Sequence, residues 1–271
     1  MPELQNPTIS VYSLELESHF LGRMVRFDCY VPAKLSEDVS LLLINDGQDL
    51  VTMGFEKILN ETYSRFPLSP LMCIGIYCGT DRKNEYGTAR YMDYKGRGAK
   101  AFLHNRFVLE ELIPFIRSHF AMPSFKQKAY AGFSLGGLYA MDIVWNYPAE
   151  FTVCGIFSGS MWWRSVSQDE PNFDENEHRI MQKQVREGKY FPWQRYFFEV
   201  GVLDETADRN HNGIIDSIDD TQAVINELKL SGCPDKNVSY LELTDGRHDV
   251  PTWAKAFPTF LVWAFSKNIE Q

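Results

Sequence analysis

Little in this sequence suggests a disulfide framework, a nucleic-acid surface or a membrane span. The 271 residues contain five cysteines (Cys29, Cys73, Cys78, Cys154 and Cys233), an odd number without metal-type pairing. Cys73 and Cys78 stand in or beside an apolar strand-like run, so buried free thiols are expected. Basic residues are outnumbered 27 to 36 by acidic ones, a formal net charge of −9. Sequence-independent binding of nucleic acid needs a basic footprint, so no nucleic-acid partner is expected. No apolar run approaches the length of a membrane span, and no membrane partner is expected. Internal repeats, low-complexity tracts and linkers are also missing. The first residues, Met1 to Pro7, are polar, without a basic start or an apolar core. That reads as a cytoplasmic protein, or a periplasmic or secreted one if a leader has been removed. With 44% hydrophobic and 23% charged residues, the expectation is one soluble domain over residues 1–271. The oligomeric state has no signature.

The order of elements is legible from periodicity. Thr8–Glu17 and Arg23–Val31 alternate apolar with polar residues, the pattern of half-buried antiparallel strands. Ser40–Ile44, Leu71–Tyr77 and Phe151–Phe157 are continuous apolar runs, as in central strands covered on both faces. Tyr196–Gly201 and Val238–Leu243 read as the last two strands. Helices are expected at Phe55–Tyr63, at Phe102–His119 with a kink at Pro114, at Asp174–Glu187, at Thr221–Leu230 and at Pro251–Ser266. Strands alternating with helices predict an α/β fold, a mostly parallel sheet with an antiparallel start and helices on both faces. Residues 81–100 form a polar loop with six basic and three acidic side chains. This loop suits either the orientation of an anionic or polyhydroxylated substrate or plain solvation.

The centre of the chain is Gly132-Phe133-Ser134-Leu135-Gly136, followed by Gly137. A short apolar strand (Ala129–Ala131) leads in and a helical segment (Leu138–Trp145) leads out. Glycines around a serine at a sharp strand-to-helix turn allow the two backbones to approach closely. The helix N-terminus then offers free N–H groups where negative charge develops during acyl transfer. A serine hydroxyl near neutral pH needs a base, and the base needs an orienting group. In an α/β-hydrolase these follow in the order Ser, Asp or Glu, His. Asp204 lies on the loop after the strand ending at Gly201, and Glu205 and Asp208 on the same loop are alternatives. His248 follows the last strand. Of the other histidines after Ser134, His178 sits in a charged helix and His211 in a polar motif. Leu135 and Gln48 are the expected backbone donors of the oxyanion hole, the latter in Asn45-Asp46-Gly47-Gln48. Trp162 and Trp163 either wall the substrate or pack in the core.

These segments resemble the putative esterase family. The resemblance is carried by residues 41–48, Glu111–Pro114, Ala131–Gly137, Phe157–Ser160, Gly201–Asp204 and His248–Trp253, and spans about residues 20 to 265. The family includes esterase D, enterochelin esterases, feruloyl and acetyl-xylan esterase modules and mycolyltransferases. It implies an α/β-hydrolase fold with a central sheet of about eight strands. It also implies carboxylic-ester hydrolysis of a small-molecule or carbohydrate ester, with a triad on Ser134, Asp204 and His248. One departure is Asn45-Asp46, where many members carry His-Gly. Acyl transfer to an alcohol or sugar is the rival chemistry, and a non-catalytic binding module the rival class.

A second motif runs from Asp208 to Asp219. Oxygen side chains stand at positions 1, 3, 5, 9 and 12 of a calcium loop (Asp208, Asn210, Asn212, Asp216 and Asp219), with Gly213 at position 6. The Ile214 carbonyl would serve position 7. A structural Ca2+ is expected there, with Asp in place of Glu at position 12 giving less reach. An Asx-rich turn before a helix is the alternative. No cofactor is expected for the chemistry itself.

Overall fold

The computed structural model describes residues 9–36 and 38–267. Its chain opens with β1 (Ile9–Ser18), β2 (Arg23–Pro32) and β3 (Ser40–Asn45). Next come α1 (Gly47–Met53), α2 (Phe55–Arg65), β4 (Leu71–Ile76), α3 (Arg82–Glu85), α4 (Ala101–Arg106) and α5 (Ile113–His119). The middle is β5 (Lys128–Phe133), α6 (Leu135–Asn146) and β6 (Val153–Phe157). Then follow α7 (Glu175–His178), α8 (Ile180–Glu187), β7 (Arg195–Leu203), α9 (Asp216–Leu230), β8 (Val238–Arg247) and α10 (Val250–Phe265).

The strands form one eight-stranded sheet in the order β1-β2-β4-β3-β5-β6-β7-β8. β1 and β2 pair antiparallel, β2 joins β4 antiparallel, and every later pairing is parallel. The continuous apolar runs become strands buried on both faces: β3, β4 and β6 contain no exposed residue. One core layer gathers Phe107, Leu138, Tyr139 and Trp163, and the other packs Phe133, Phe157 and Phe197 under Phe257 and Phe260 of α10. This is the mostly parallel sheet with an antiparallel start that the alternation predicts, and the α/β-hydrolase architecture that the resemblance implies. All five cysteines are free.

Two expectations change in detail. The single kinked helix over Phe102–His119 is three pieces, because Phe107–Leu112 winds as a π-helix between α4 and α5. Pro114 has no N–H to return to the preceding turn, and the wider winding accommodates the missing bond. The last two strands also run further than their apolar stretches. β7 and β8 stay paired out to Leu203 and Arg247, past an irregularity between Gly201 and Leu203.

Candidate active site

β5 ends at Phe133 and α6 begins at Leu135, so Ser134 alone makes the turn. Its φ of 54° and ψ of −121° lie outside the conformations a non-glycine residue ordinarily takes. The strain is held by the main chain around it. The Ser134 N–H donates to the Phe157 carbonyl at 2.9 Å, and its carbonyl accepts from Gly137 and Ser160 at 3.0 Å. Close approach explains Gly132, where a Cβ would lie 2.2 Å from the Gly136 carbonyl oxygen. At the start of α6 the Leu135 and Gly136 N–H groups, which follow directly on the serine, have no intrahelical acceptor.

The acid and base are brought together by the sheet. Leu203 and Arg247 face each other at the ends of β7 and β8, so the next residues, Asp204 and His248, emerge side by side. His248 Nδ1 stands 3.8 Å from Asp204 Oδ2, with the carboxylate side chain 1% exposed and the imidazole 40% exposed. That is beyond hydrogen-bond length, and such contacts commonly tighten when substrate binds. The imidazole packs edge-on to Trp253, centroids 5.5 Å apart, and Trp253 stacks on Phe133 at 4.9 Å, beside the serine. Trp253 Nε1 donates to Ser158 Oγ at 3.0 Å. Asp249 caps α10 by accepting the Thr252 N–H, which lowers its pKa. The alternative acids point elsewhere. Burial raises the pKa of the Glu205 carboxyl, and Asp208 serves its own loop.

The second donor loop is more constrained than its sequence suggests. Asp46 takes the left-handed conformation with φ of 58°, which a glycine would enter without cost. It is held there by Arg82, whose guanidinium grips the carboxylate with two bonds of 2.7 Å. Asn45 donates to the Gly136 carbonyl at 3.0 Å and accepts from Tyr130 at 2.9 Å, tying this loop to α6. The Gln48 side chain is occupied with Asp46 and the Cys78 N–H, while its backbone N–H lies in the first turn of α1. Asn45 and Arg82 were not among the residues expected at the site. Arg82 was one of six cations on a polar loop, and nothing in the sequence tied it to Asp46.

Three of that loop's six cations are paired with carboxylates. Besides Arg82, Arg97 pairs with Asp93, and Lys100 with Asp81 at 2.8 Å. The pairs of Arg97 and Lys100 brace the loop from within, and Arg82 ties it to Asp46, so these three cations have a structural role. Trp163 requires a correction as a substrate wall. It is fully buried and packs where a Cβ on Gly87 would be 2.8 Å from its ring. Trp162 is half-buried, under the Arg97 guanidinium. A cavity of about 590 Å3 lined by Arg90, Tyr91, Trp145 and Lys189 lies at the far end of α6 from Ser134.

In the second motif, four side chains converge. The Asp208 carboxylate accepts the N–H groups of Asn212 (3.1 Å) and Gly213 (2.9 Å). Asn210 and Asn212 turn their amide nitrogens to Asp219, at 2.7 and 3.2 Å. The Asn212 side-chain oxygen Oδ1 accepts the Ile214 N–H at 2.7 Å. Asp216 departs from the expected set: its carboxylate accepts the Arg209 N–H and faces the Arg209 guanidinium at 3.2 Å. Arg209 also grips Asp220 and Glu175, each at 2.8 Å, which fastens the loop to α9 and α7. Among the described residues no three His, Cys, Asp or Glu side chains gather as a metal site. Two of the four side chains that converge here are amides.

A family model described as "Putative esterase" matches residues 18–264. The uncharacterized protein YbbA of Bacillus subtilis (strain 168) is 27% identical over 164 residues, 56% of this chain and 63% of that protein. The match therefore spans less than two thirds of that relative's length. Among solved structures, a ferulic acid esterase superposes with a TM-score of 0.68 at 18% identity, covering 94% of this chain and 97% of its own. The siderophore hydrolase EstB from Aspergillus nidulans gives 0.72 at 17% identity, covering 97% and 96%. The enterobactin esterase FES from Shigella flexneri gives 0.69 at 19% identity, covering 95% of this chain and 60% of its own.

Proposed function

The chain belongs to the putative esterase family; we propose that it is a carboxylic ester hydrolase and that Ser134, His248 and Asp204 form its catalytic triad. The observation that carries this reading is the strained Ser134 at a strand-to-helix turn, φ 54° and ψ −121°, with a helix N-terminus behind it. In this mechanism Ser134 Oγ attacks the ester carbonyl carbon as His248 takes its proton. Asp204 orients the imidazole and stabilises its positive charge. The oxyanion rests on the Leu135 and Gln48 N–H groups. Cleavage of the C–O bond releases the alcohol, which takes the proton from His248 and leaves an acyl-enzyme. Water then attacks the acyl carbon, His248 again passes the proton, and the free acid leaves. The half-exposed imidazole leaves water a route to the acyl-enzyme, which supports hydrolysis over transfer. A small aromatic or carbohydrate ester is the proposed substrate class, in keeping with neighbours named for ferulic acid and enterobactin. A serine-directed fluorophosphonate should add one label, on the peptide containing Ser134, and none to His248→Ala. A label elsewhere, or none on the wild type, sinks the triad.

The Asp208–Asp219 loop is proposed as a calcium site held by Asp208, Asn210, Asn212, Asp219 and the Ile214 carbonyl. Rotating each asparagine amide would turn its oxygen inward, and the Asp208 bonds to Asn212 and Gly213 already shape the turn. The ion would be structural, and it would fix the loop that starts four residues after Asp204. At calcium about 100-fold above Kd, adding chelator should lower Tm by about 5 °C, from about 2.7 kcal/mol of linkage. An unchanged melting curve and unchanged activity would remove calcium from this account.

A further inference from the structure

β7 carries one acidic residue in an otherwise apolar centre, Tyr196-Phe-Phe-Glu199-Val-Gly201. Glu199 is 1% exposed, and neither of its carboxyl oxygens has a hydrogen-bond partner. It pairs with Phe157 on one side and Leu241 on the other. A bare carboxylate in such a layer is costly. Alternation puts Glu199 and Gly201 on the same face of the strand. Gly201 has no side chain, and a Cβ built there would be 2.5 Å from Asp204 Oδ1. The Asp204 carboxylate therefore folds back over the strand, one pleat from Glu199. Both Asp204 oxygens are likewise buried without a hydrogen-bond partner. Two adjacent carboxyl groups, each short of a partner, are satisfied together when one keeps its proton.

We infer that Glu199 is a positioning residue, a neutral carboxylic acid whose O–H faces the Asp204 carboxylate and supplies the donor that carboxylate lacks. The inference rests on Asp204 being the triad acid. Burial, and then the Asp204 charge, push the Glu199 pKa up to about 8. Just past the end of β6, the Ser158 N–H donates to the Glu199 main-chain carbonyl at 2.8 Å. Tyr240 of β8 senses the Glu199 charge weakly and is bonded to Glu242. From α10 come the aromatic rings of Phe257 and Phe260, packed on Phe157, while its Lys255 is exposed and paired with Asp245. Above its pKa Glu199 becomes a second buried anion, Asp204 loses its donor, and His248 loses its orienting partner.

The test is the dependence of kcat and KM on pH, from 6 to 10, for a soluble aryl ester with background hydrolysis subtracted. Wild type should lose kcat with an apparent pKa near 8. Glu199→Gln keeps a neutral donor, so its kcat at pH 7 should stay within about twofold of wild type and remain flat above pH 8. Glu199→Leu should lower kcat about tenfold at pH 7 with KM unchanged. The stability sign is fixed as well. Between its unfolded value and about 8, Glu199 is protonated in the fold and ionised in the unfolded chain, so its contribution to stability falls as pH rises. The Tm advantage of Glu199→Gln over wild type should therefore grow from pH 5 to pH 8. Superimposed profiles for wild type and Glu199→Gln above pH 8 would overturn the inference, as would a wild-type kcat in Glu199→Leu. Should Glu199→Leu fail to fold, the alkaline limb of Glu199→Gln decides alone. Asp204→Asn separates the two readings. Full activity there removes Asp204 from the triad, whereas inactive Asp204→Asn with wild-type behaviour in the Glu199 variants removes only Glu199.

Discussion

Ser134→Ala should retain no more than about one ten-thousandth of the wild-type kcat on a short-chain aryl ester, with an unchanged KM. Loss of the hydroxyl removes the nucleophile and leaves the oxyanion donors, the substrate surface and His248 in place. What survives is catalysis by N–H groups acting on direct attack by water. The fold should be unaffected. The main-chain bonds that hold the turn, from Ser134 to Phe157, Gly137 and Ser160, involve no side-chain atom. Alanine meets the same positive φ that serine does, so the strain is preserved and Tm should shift by less than about 1 °C. Steady-state rates and a melting curve from one preparation are sufficient. Comparable rates for the two proteins would mean that Ser134 is not the nucleophile.

Gly47→Ala should have the second largest effect, and it acts on the opposite side of the site. A Cβ at Gly47 would lie 2.3 Å from the carbonyl carbon and oxygen of Gly75 and 2.7 Å from the Ile76 nitrogen. These are backbone atoms of β4 and cannot swing aside, so α1 must lift from the sheet and take the Gln48 N–H with it. Overpacking of this kind costs about 1–3 kcal/mol, and loss of one oxyanion donor costs about 10²–10³ in kcat. Gly54→Ala is the control. It sits at the other end of α1 with φ of 68° and open space around it, so it should lower Tm through backbone strain and spare kcat. If Gly47→Ala loses stability yet keeps its kcat, the Gln48 N–H is not a donor.

The parts of the site that could be read from sequence are those with a local signature. Gly132-Phe-Ser134-Leu-Gly136 declares a turn, because glycines are needed wherever strand and helix backbones nearly touch. Apolar runs and their alternation declare the sheet, because burial on one or two faces leaves different periodicities. The proposed acid and base, Asp204 and His248, stand out by their place after the last strands. What escaped depends on distance along the chain. Arg82 and Asp46 are far apart in sequence, and either could have been a solvated charge. Asn45 matters through Gly136, on another strand's helix. Glu199 did leave a trace, one acid inside an apolar strand, but its meaning lies in the neighbouring Asp204 carboxylate. Trp162 and Trp163 are adjacent in the chain, and only tertiary packing separates the buried ring from the half-buried one. Asp216 fits the oxygen pattern of the calcium loop, yet Arg209 claims its carboxylate.

The pairing of Leu203 with Arg247 bears on how this fold can diversify. Asp204 and His248 each follow directly on a ladder position, so their separation is inherited from the sheet and owes little to the loops that leave it. The chain after Asp204 can therefore be lengthened, shortened or exchanged without retuning the proposed acid–base pair. The segment from Thr206 to Ile215 occupies such a place. It can take on a new ligand or surface as an accessory, while the chemistry two strands wide beneath it stays as it was.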